Sequence, residues 1–232
     1  MRKNKFIVCV LAMASVGFIS CSSDDDATPV ASVNLEARPV ITSETASPSV
    51  VAGANLLQAQ LRVREIGIIK SGESTASSTR FGDAGVRQIP LLNSGLPAQP
   101  TALGSASLEH GTYDRVTLRL DRGQELPAAD PMNNRSLSIT GTVNSMILTI
   151  HTDVEEIITK TIQGGGLTLN ANETLYLDIN LNTLFTGIDL TTAVDGNEDG
   201  AIDIEPSNRD ENRAIYTRMV DNLPNAITVS KE

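Results

Sequence analysis

The chain has 232 residues, 40% hydrophobic but only 3% aromatic and without tryptophan, so its core has to be built from Leu, Ile, Val and Ala, and a large aromatic binding platform is not expected. With 18 basic against 28 acidic residues the formal net charge is −10. Such a balance repels phosphate backbones and anionic headgroups and argues against nucleic acid as a partner. The length suits one β-sandwich domain, or one domain with a long tether, and buries a core without disulfide or metal staples.

Met1 to Lys5 is basic, and Phe6 to Ile19 is an apolar run of 14 residues. A membrane-spanning helix needs roughly 20, so a short apolar run behind a basic start reads as an export signal. It ends Phe18-Ile19-Ser20-Cys21. A small residue directly before a cysteine resembles a bacterial lipobox, in the looser form of Bacteroidota lipoproteins. The expectation is a signal peptide over 1–20 and lipidation of Cys21. The remaining 212 residues would carry a charge of −13, and Cys9 would leave with the signal, so no disulfide forms within one mature chain. Several acyl chains at about 0.8 kcal/mol per buried methylene anchor stably where one does not. Residues 21–30 read as an acidic tether. Within it Ser22, Ser23, Asp24, Asp25 and Asp26 form a solvated spacer and resemble the Bacteroidota lipoprotein export signal. That resemblance implies a lipid anchor in the outer membrane with exposure at the cell surface; the alternative is the periplasmic face.

Ala31 to Arg38 alternates weakly and reads as a first strand, and Pro39 to Asn55 as a loop or continued linker. Leu57, Ala59, Leu61 and Val63 alternate with Gln58, Gln60, Arg62 and Arg64, the pattern of a half-buried strand. Ile66, Ile68 and Ile69 then take over, which predicts a bulge near Glu65. Val86 to Leu92 is a short strand whose Pro90 calls for an edge or a bulge. Asn93 to Gly104 reads as an irregular connection, and Val116, Leu118 and Leu120 as a clean strand. Leu137 to Val143 and Met146 to Thr152 alternate around Asn144-Ser145, a hairpin turn. Val154 to Ile162 favours strand, Gly164 to Gly166 a turn, and Leu175 to Leu181 a further strand. Asp210 is placed to cap a helix over 211–222, with Ile215, Met219 and Leu223 on one face and Pro224 as its stop. Ile227 to Val229 adds a last strand.

Short strands with turn signals and no long amphipathic helices between them predict an all-β fold. The expected form is a mainly antiparallel β-sandwich, Ig-like or transthyretin-like, over 31–232, with a short C-terminal helix. The strands LLQAQLRVREIGI, IPLL, GTYDRVTLRL and TLYLDINLNTLFTGIDL resemble uncharacterised bacterial lipoprotein domains of the transthyretin or carboxypeptidase-regulatory type. The stretch from Asn180 to Asp189 is also similar to copper-associated periplasmic MbnP-like proteins. The likeness covers Ala31 to the C-terminus and rests on structural motifs, so it implies no catalytic residue. His110 and His151 are the chain's two histidines, too few to carry over a copper site.

The chemically pointed segment is residues 195–205. Asp195, Asn197 and Asp199 stand at positions one, three and five of a calcium loop; Gly200 supplies the sharp turn, Ala201 a carbonyl, and Asp203 the ninth position. Oxygen donors at alternate positions are what Ca²⁺ requires as a chain wraps it. Pro206 occupies the place of the bidentate acid, so Glu205, or Asp210 after a local bend, has to complete the shell. The other reading is an Asp/Gly-rich turn closed by its own side-chain hydrogen bonds. A structural Ca²⁺ would tie this loop to the terminal helix.

Enzymatic signatures are missing from the sequence: no G-x-S-x-G, no H-E-x-x-H and no cysteine after Cys21. Among Glu109, His110, Tyr113 and Asp114, His110 reads as a turn residue and Tyr113 as packing its ring beside the sheet, rather than the four forming an acid–base set. Glu155 and Glu156 on one strand would point to opposite faces. The expected function is a non-enzymatic, membrane-anchored lipoprotein acting as a structural or binding module of the envelope, held by its acyl groups, with an envelope protein or a glycan as partner. The alternative is a periplasmic metal-handling or carrier lipoprotein.

Overall fold

Alternating apolar and polar residues write two faces into each strand, and the structure stacks the apolar faces into one core. The computed structural model describes residues 29–41, 50–83 and 85–231. The chain runs through β1 (Val30–Val40), β2 (Val50–Val51), β3 (Ala54–Lys70), β4 (Thr79–Arg80), β5 (Arg87–Asn93), β6 (Leu96–Pro97), β7 (Thr101–Glu109) and β8 (Gly111–Leu120). It continues through β9 (Leu137–Val143), β10 (Met146–Thr152), β11 (Ile157–Thr161), β12 (Leu167–Leu169) and β13 (Glu173–Asn180) to the one-turn helix α1 (Leu181–Leu184). β14 (Ala201–Ile204), α2 (Arg213–Ala226) and β15 (Ile227–Lys231) close it. Strand makes up 52% of the described residues against 12% helix, mostly in antiparallel pairs, which is the all-β class that the alternation predicts.

One sheet has the order β15-β13-β1-β7. The other is built on β3, whose 17 residues span roughly 55 Å at about 3.3 Å per residue. β8 and β9 lie end to end against this one strand: Lys70 to Val63 face Tyr113 to Leu120, and Leu61 to Asn55 face Leu137 to Thr142. Arg62 closes the junction, its N–H donating to Ser136 O (2.8 Å) and its carbonyl accepting from Asp121 N (3.1 Å). β10 and β11 repeat the arrangement one row further out, against β9 and β8. The core between the sheets is aliphatic, with Phe81, Phe185, Tyr113 and Tyr216 as its buried aromatics.

The expected phase slip in β3 is a bulge: its register with β8 shifts between Arg64 and Gly67, and Glu65 takes a φ of 52°. Pro90 sits in β5 opposite Gln60, where the register also shifts. Asn144 and Ser145 both have positive φ, 52° and 66°, the conformation of a type I′ hairpin turn.

Other expectations are corrected. Residues 101–104 are strand, because β7 pairs with β1 along its length. Leu57 faces solvent and Leu56 the core, since a second register shift between Leu56 and Gln58 inverts the facing of β3 at its start. Arg62 is buried, covered by the connection from Asp121 to Ser136 that leaves and rejoins the β8–β9 row. Within the expected, mainly antiparallel arrangement, two strand pairs are parallel, β1 with β13 and β10 with β14. The terminal helix starts at Arg213 and runs past Pro224 to Ala226. Glu211 takes a φ of 61°, which no helix accommodates, so Asp210 cannot cap it. The face that α2 buries is Tyr216, Met219, Leu223 and Ala226, with Ile215 half-buried.

The domain has two poles. At one, Val30 pairs with Glu109 beside the β7–β8 turn, and Pro29 O accepts from His110 N at 2.9 Å. At the other, Leu190 N donates to Ala52 O (2.8 Å) and Asn144 Nδ2 to Thr191 O (2.9 Å), gathering the β2–β3 and β9–β10 turns.

Candidate functional site

The acidic loop belongs to this second pole. It leaves the 190–192 turn and re-enters the sheet at Ala201, which pairs with Ile147 just after the β9–β10 hairpin. Asp195 accepts from Asp199 N at Oδ1 (3.1 Å) and from Gly200 N at Oδ2 (2.9 Å). Asn197 Oδ1 accepts from Asp199 N (2.9 Å), and Asp199 Oδ1 from Ala201 N (3.0 Å). The three side chains therefore fold inward onto the loop's own backbone, with Glu198 (φ 62°) and Gly200 (φ 92°) making the bends. Each carboxylate has about four acceptor positions, so these bonds leave most of the oxygen lone pairs unused.

Glu205 and Asp203 turn elsewhere. Glu205 is buried and accepts from Ser207 N (3.1 Å), the Ser207 hydroxyl, Arg209 N (3.1 Å) and Arg209 Nε (3.4 Å). Burial raises its pKa, but those donors outweigh the burial and bring it down to about 2. Asp203 accepts from Arg209 Nη2 at 3.4 Å. Burial raises the Asp203 carboxyl; Arg209 opposes the rise, and Asp210, Asp199 and Glu205 add to it. Ser207 and Arg209 thus hold the carboxylate that the loop spacing suggested as the last ligand.

Asp210 comes back beneath the loop instead. It is fully buried, and its Oδ2 accepts from Asp203 N at 2.5 Å. Its Oδ1 is buried with no hydrogen-bond partner among the described residues. A Cβ on Gly196 would lie 2.8 Å from the Asp210 carbonyl carbon and oxygen, so only glycine lets the loop rest there. Asn212 clips the assembly together. Its Nδ2 donates to Val194 O (2.8 Å) and Asp203 O (3.2 Å), and its Oδ1 accepts from Val194 N (3.0 Å). Sequence reasoning missed Asn212, because nothing in local spacing shows that it meets Val194.

Among the described residues, no three His, Cys, Asp or Glu side chains are drawn together as a preformed metal centre. The histidines lie apart: His110 is in the β7–β8 turn at the first pole, while His151 is on β10, with Nε2 4.0 Å from Glu205 Oε2. Burial first, and then Arg135, lower the His151 pKa to about 4 against the pull of Glu205 and Asp153. In the other acid–base candidate, the Tyr113 hydroxyl donates to Glu109 O (3.1 Å), and the Glu109 carboxylate meets Lys70 Nζ (3.1 Å). Glu155 and Glu156 precede β11 rather than lying in it, and Glu155 pairs with Arg64 (3.5 Å) and Arg122 (3.7 Å). Cys21, Ser22, Ser23, Asp24, Asp25 and Asp26 lie outside the described residues. No described helix is long and apolar enough to cross a membrane.

No family model and no curated protein matches the chain. Among solved structures it is distantly similar to MbnP from Methylosinus trichosporium, with 11% identity and a TM-score of 0.47 over 88% of this chain and 99% of that one. At that distance the likeness assigns neither a ligand nor a family to this chain.

Proposed function

We propose that the chain is a non-enzymatic, lipid-anchored module of the cell envelope. It stands off the membrane on its N-terminal tether and turns its acidic pole away from the lipid, toward an envelope protein or a glycan. The observation that carries this reading is the position of the two poles. The first described residues join the sheet beside Glu109, whereas the acidic loop lies at the far end of β3, with the turns at Ala52 and Asn144. A chain tethered through Cys21 would hold the first pole near the lipid and present the second. The anchor and the outer-membrane location rest on the basic start, the 14-residue apolar run and the Ser20-Cys21 junction.

The alternative, a metal-handling or carrier lipoprotein of the periplasmic face, is favoured by a different feature. The acidic pole carries oxygen donors and no sulfur or imidazole on its loop, so a cargo held there would be a hard cation and not copper.

Labelling cells with a fatty-acid analogue, followed by fractionation, tests the anchor. The parent chain takes the label and stays with membranes, and Cys21→Ser loses the label and enters the soluble fraction. A Cys21→Ser chain that stays equally membrane-bound overturns the reading. Protease treatment of intact cells then separates the two faces: degradation supports surface exposure, and protection until the outer membrane is opened supports the periplasmic face.

A further inference from the structure

The geometry points to a Ca²⁺ site at the acidic pole in which Asp210, arriving from outside the loop, completes a shell begun by Asp195, Asn197 and Asp199. This goes beyond the anchoring reading and does not depend on it. Two independent observations meet here. The first is the spacing of oxygen donors at alternate loop positions before Gly200, each oriented inward by a backbone N–H. The second is a wholly buried carboxylate oxygen, Asp210 Oδ1, with no protein partner among the described residues.

A buried carboxylate oxygen left without a donor or a cation carries a desolvation cost. The nearby guanidinium of Arg209 cannot relieve it, being engaged by Glu205 and Asp203. The other oxygen of Asp210 is held by Asp203 N, and its backbone is pressed against Gly196, so the residue packs directly against the acidic loop. Ca²⁺ takes six to eight oxygen ligands in flexible geometry, commonly with a bidentate acid at the twelfth position of a loop. Here Pro206 stands at that position. The chain instead runs out along β14, turns at Glu205–Asn208 (Asn208 N to Glu205 O, 3.2 Å) and returns to place an acid on the same side. The three carboxylates Asp195, Asp199 and Asp210 supply a charge suited to a divalent cation. They are not drawn together as a preformed centre among the described residues, so the proposed site requires the 195–199 segment and Asp210 to approach one another. Glu205 is a positioning residue for the turn and not a ligand.

The test uses the full chain purified in detergent and freed of metal with a chelator. Calorimetric titration with CaCl₂ is expected to give one Ca²⁺ per chain, with a dissociation constant in the range of about 10⁻⁴ to 10⁻³ M typical of extracellular modules. Ca²⁺ should raise the thermal midpoint by several degrees, and Mg²⁺, which demands octahedral geometry, should do so less. Asp210→Asn, of nearly the same shape, weakens binding at least tenfold. Asp199→Asn, on the exposed loop, does the same without touching the core, and Glu205→Gln leaves the affinity within about threefold. No binding heat together with an unchanged midpoint overturns the site. Binding that survives Asp210→Asn but is lost in Glu205→Gln overturns the assignment of Asp210.

Discussion

Asp121→Ala should be among the costliest single substitutions in the domain. Asp121 and Arg62 are each 3% exposed, at the point where β8 leaves β3 and β9 takes over. Asp121 Oδ1 accepts from Arg62 Nη2 (2.9 Å), Arg62 Nε (3.2 Å) and Gly123 N (2.9 Å), and Oδ2 faces Arg64 Nε (3.2 Å). Removing the carboxylate strands a buried guanidinium, to which the exposed Glu125 remains as partner. Losing one member of a buried pair costs about 3–5 kcal/mol. In a domain of this size that is a fall of roughly 6–20 °C in Tm. Urea unfolding followed by circular dichroism measures it, and Arg62→Met with Asp121→Leu should recover part of the loss, because an apolar replacement leaves no orphan charge. The pH dependence gives a second check. Burial raises the Asp121 carboxyl, but Gly123 N–H, Arg62 and Arg64 together bring it below its usual value. A lowered carboxylate contributes stability above its unfolded pKa and loses it as pH falls through the folded one. The parent should therefore weaken in acid by a component that Asp121→Ala lacks. A loss below about 1 kcal/mol, or parallel acid profiles, would refute the junction argument.

The buried, neutral His151 makes a prediction in a separate pH window. With its pKa held near 4 against an ordinary 6.5, the unfolded chain takes up the proton first. Stability is therefore full above pH 6.5 and declines toward pH 4, by about 3 kcal/mol in all. His151→Gln should flatten the slope of unfolding free energy against pH in that window, and an unaltered slope would count against the assignment. Gly141→Ala puts a methyl 2.3 Å from Asn55 O on β3, a backbone atom that cannot rotate aside. Thermal unfolding should show a loss of at least about 1–3 kcal/mol, and wild-type stability would disprove the close approach. Ser145→Gly relieves the positive φ of 66° in the hairpin and should add roughly 0.5–1 kcal/mol in urea unfolding; a decrease would argue against the type I′ turn.

The sequence by itself determined what depends on neighbours along the chain. Alternation at Leu175 to Ile179 and at Val116 to Leu120 marks strands, because successive side chains point to opposite faces whatever the partner. Asn144-Ser145 marks a tight hairpin, because few residue pairs tolerate two positive φ values. The slip after Arg64 marks a bulge, and Asp195, Asn197 and Asp199 before Gly200 mark a loop with oxygen donors at alternate positions. Pairing between distant segments was decided only by the tertiary structure. Arg62 reads as a solvent-facing residue by phase, yet it is buried by a connection that begins 59 residues later, at Asp121. The parallel partners of β1 and β10, the strand character of residues 101–104 and the inversion at Leu57 all depend on register against other strands. Asp210 has the spacing of a helix cap, but Glu211 adopts a conformation no helix accepts, and the carboxylate turns to the loop. Local periodicity is a property of the backbone pleat. Where a buried charge finds its partner is a property of strands that meet only once the chain has folded.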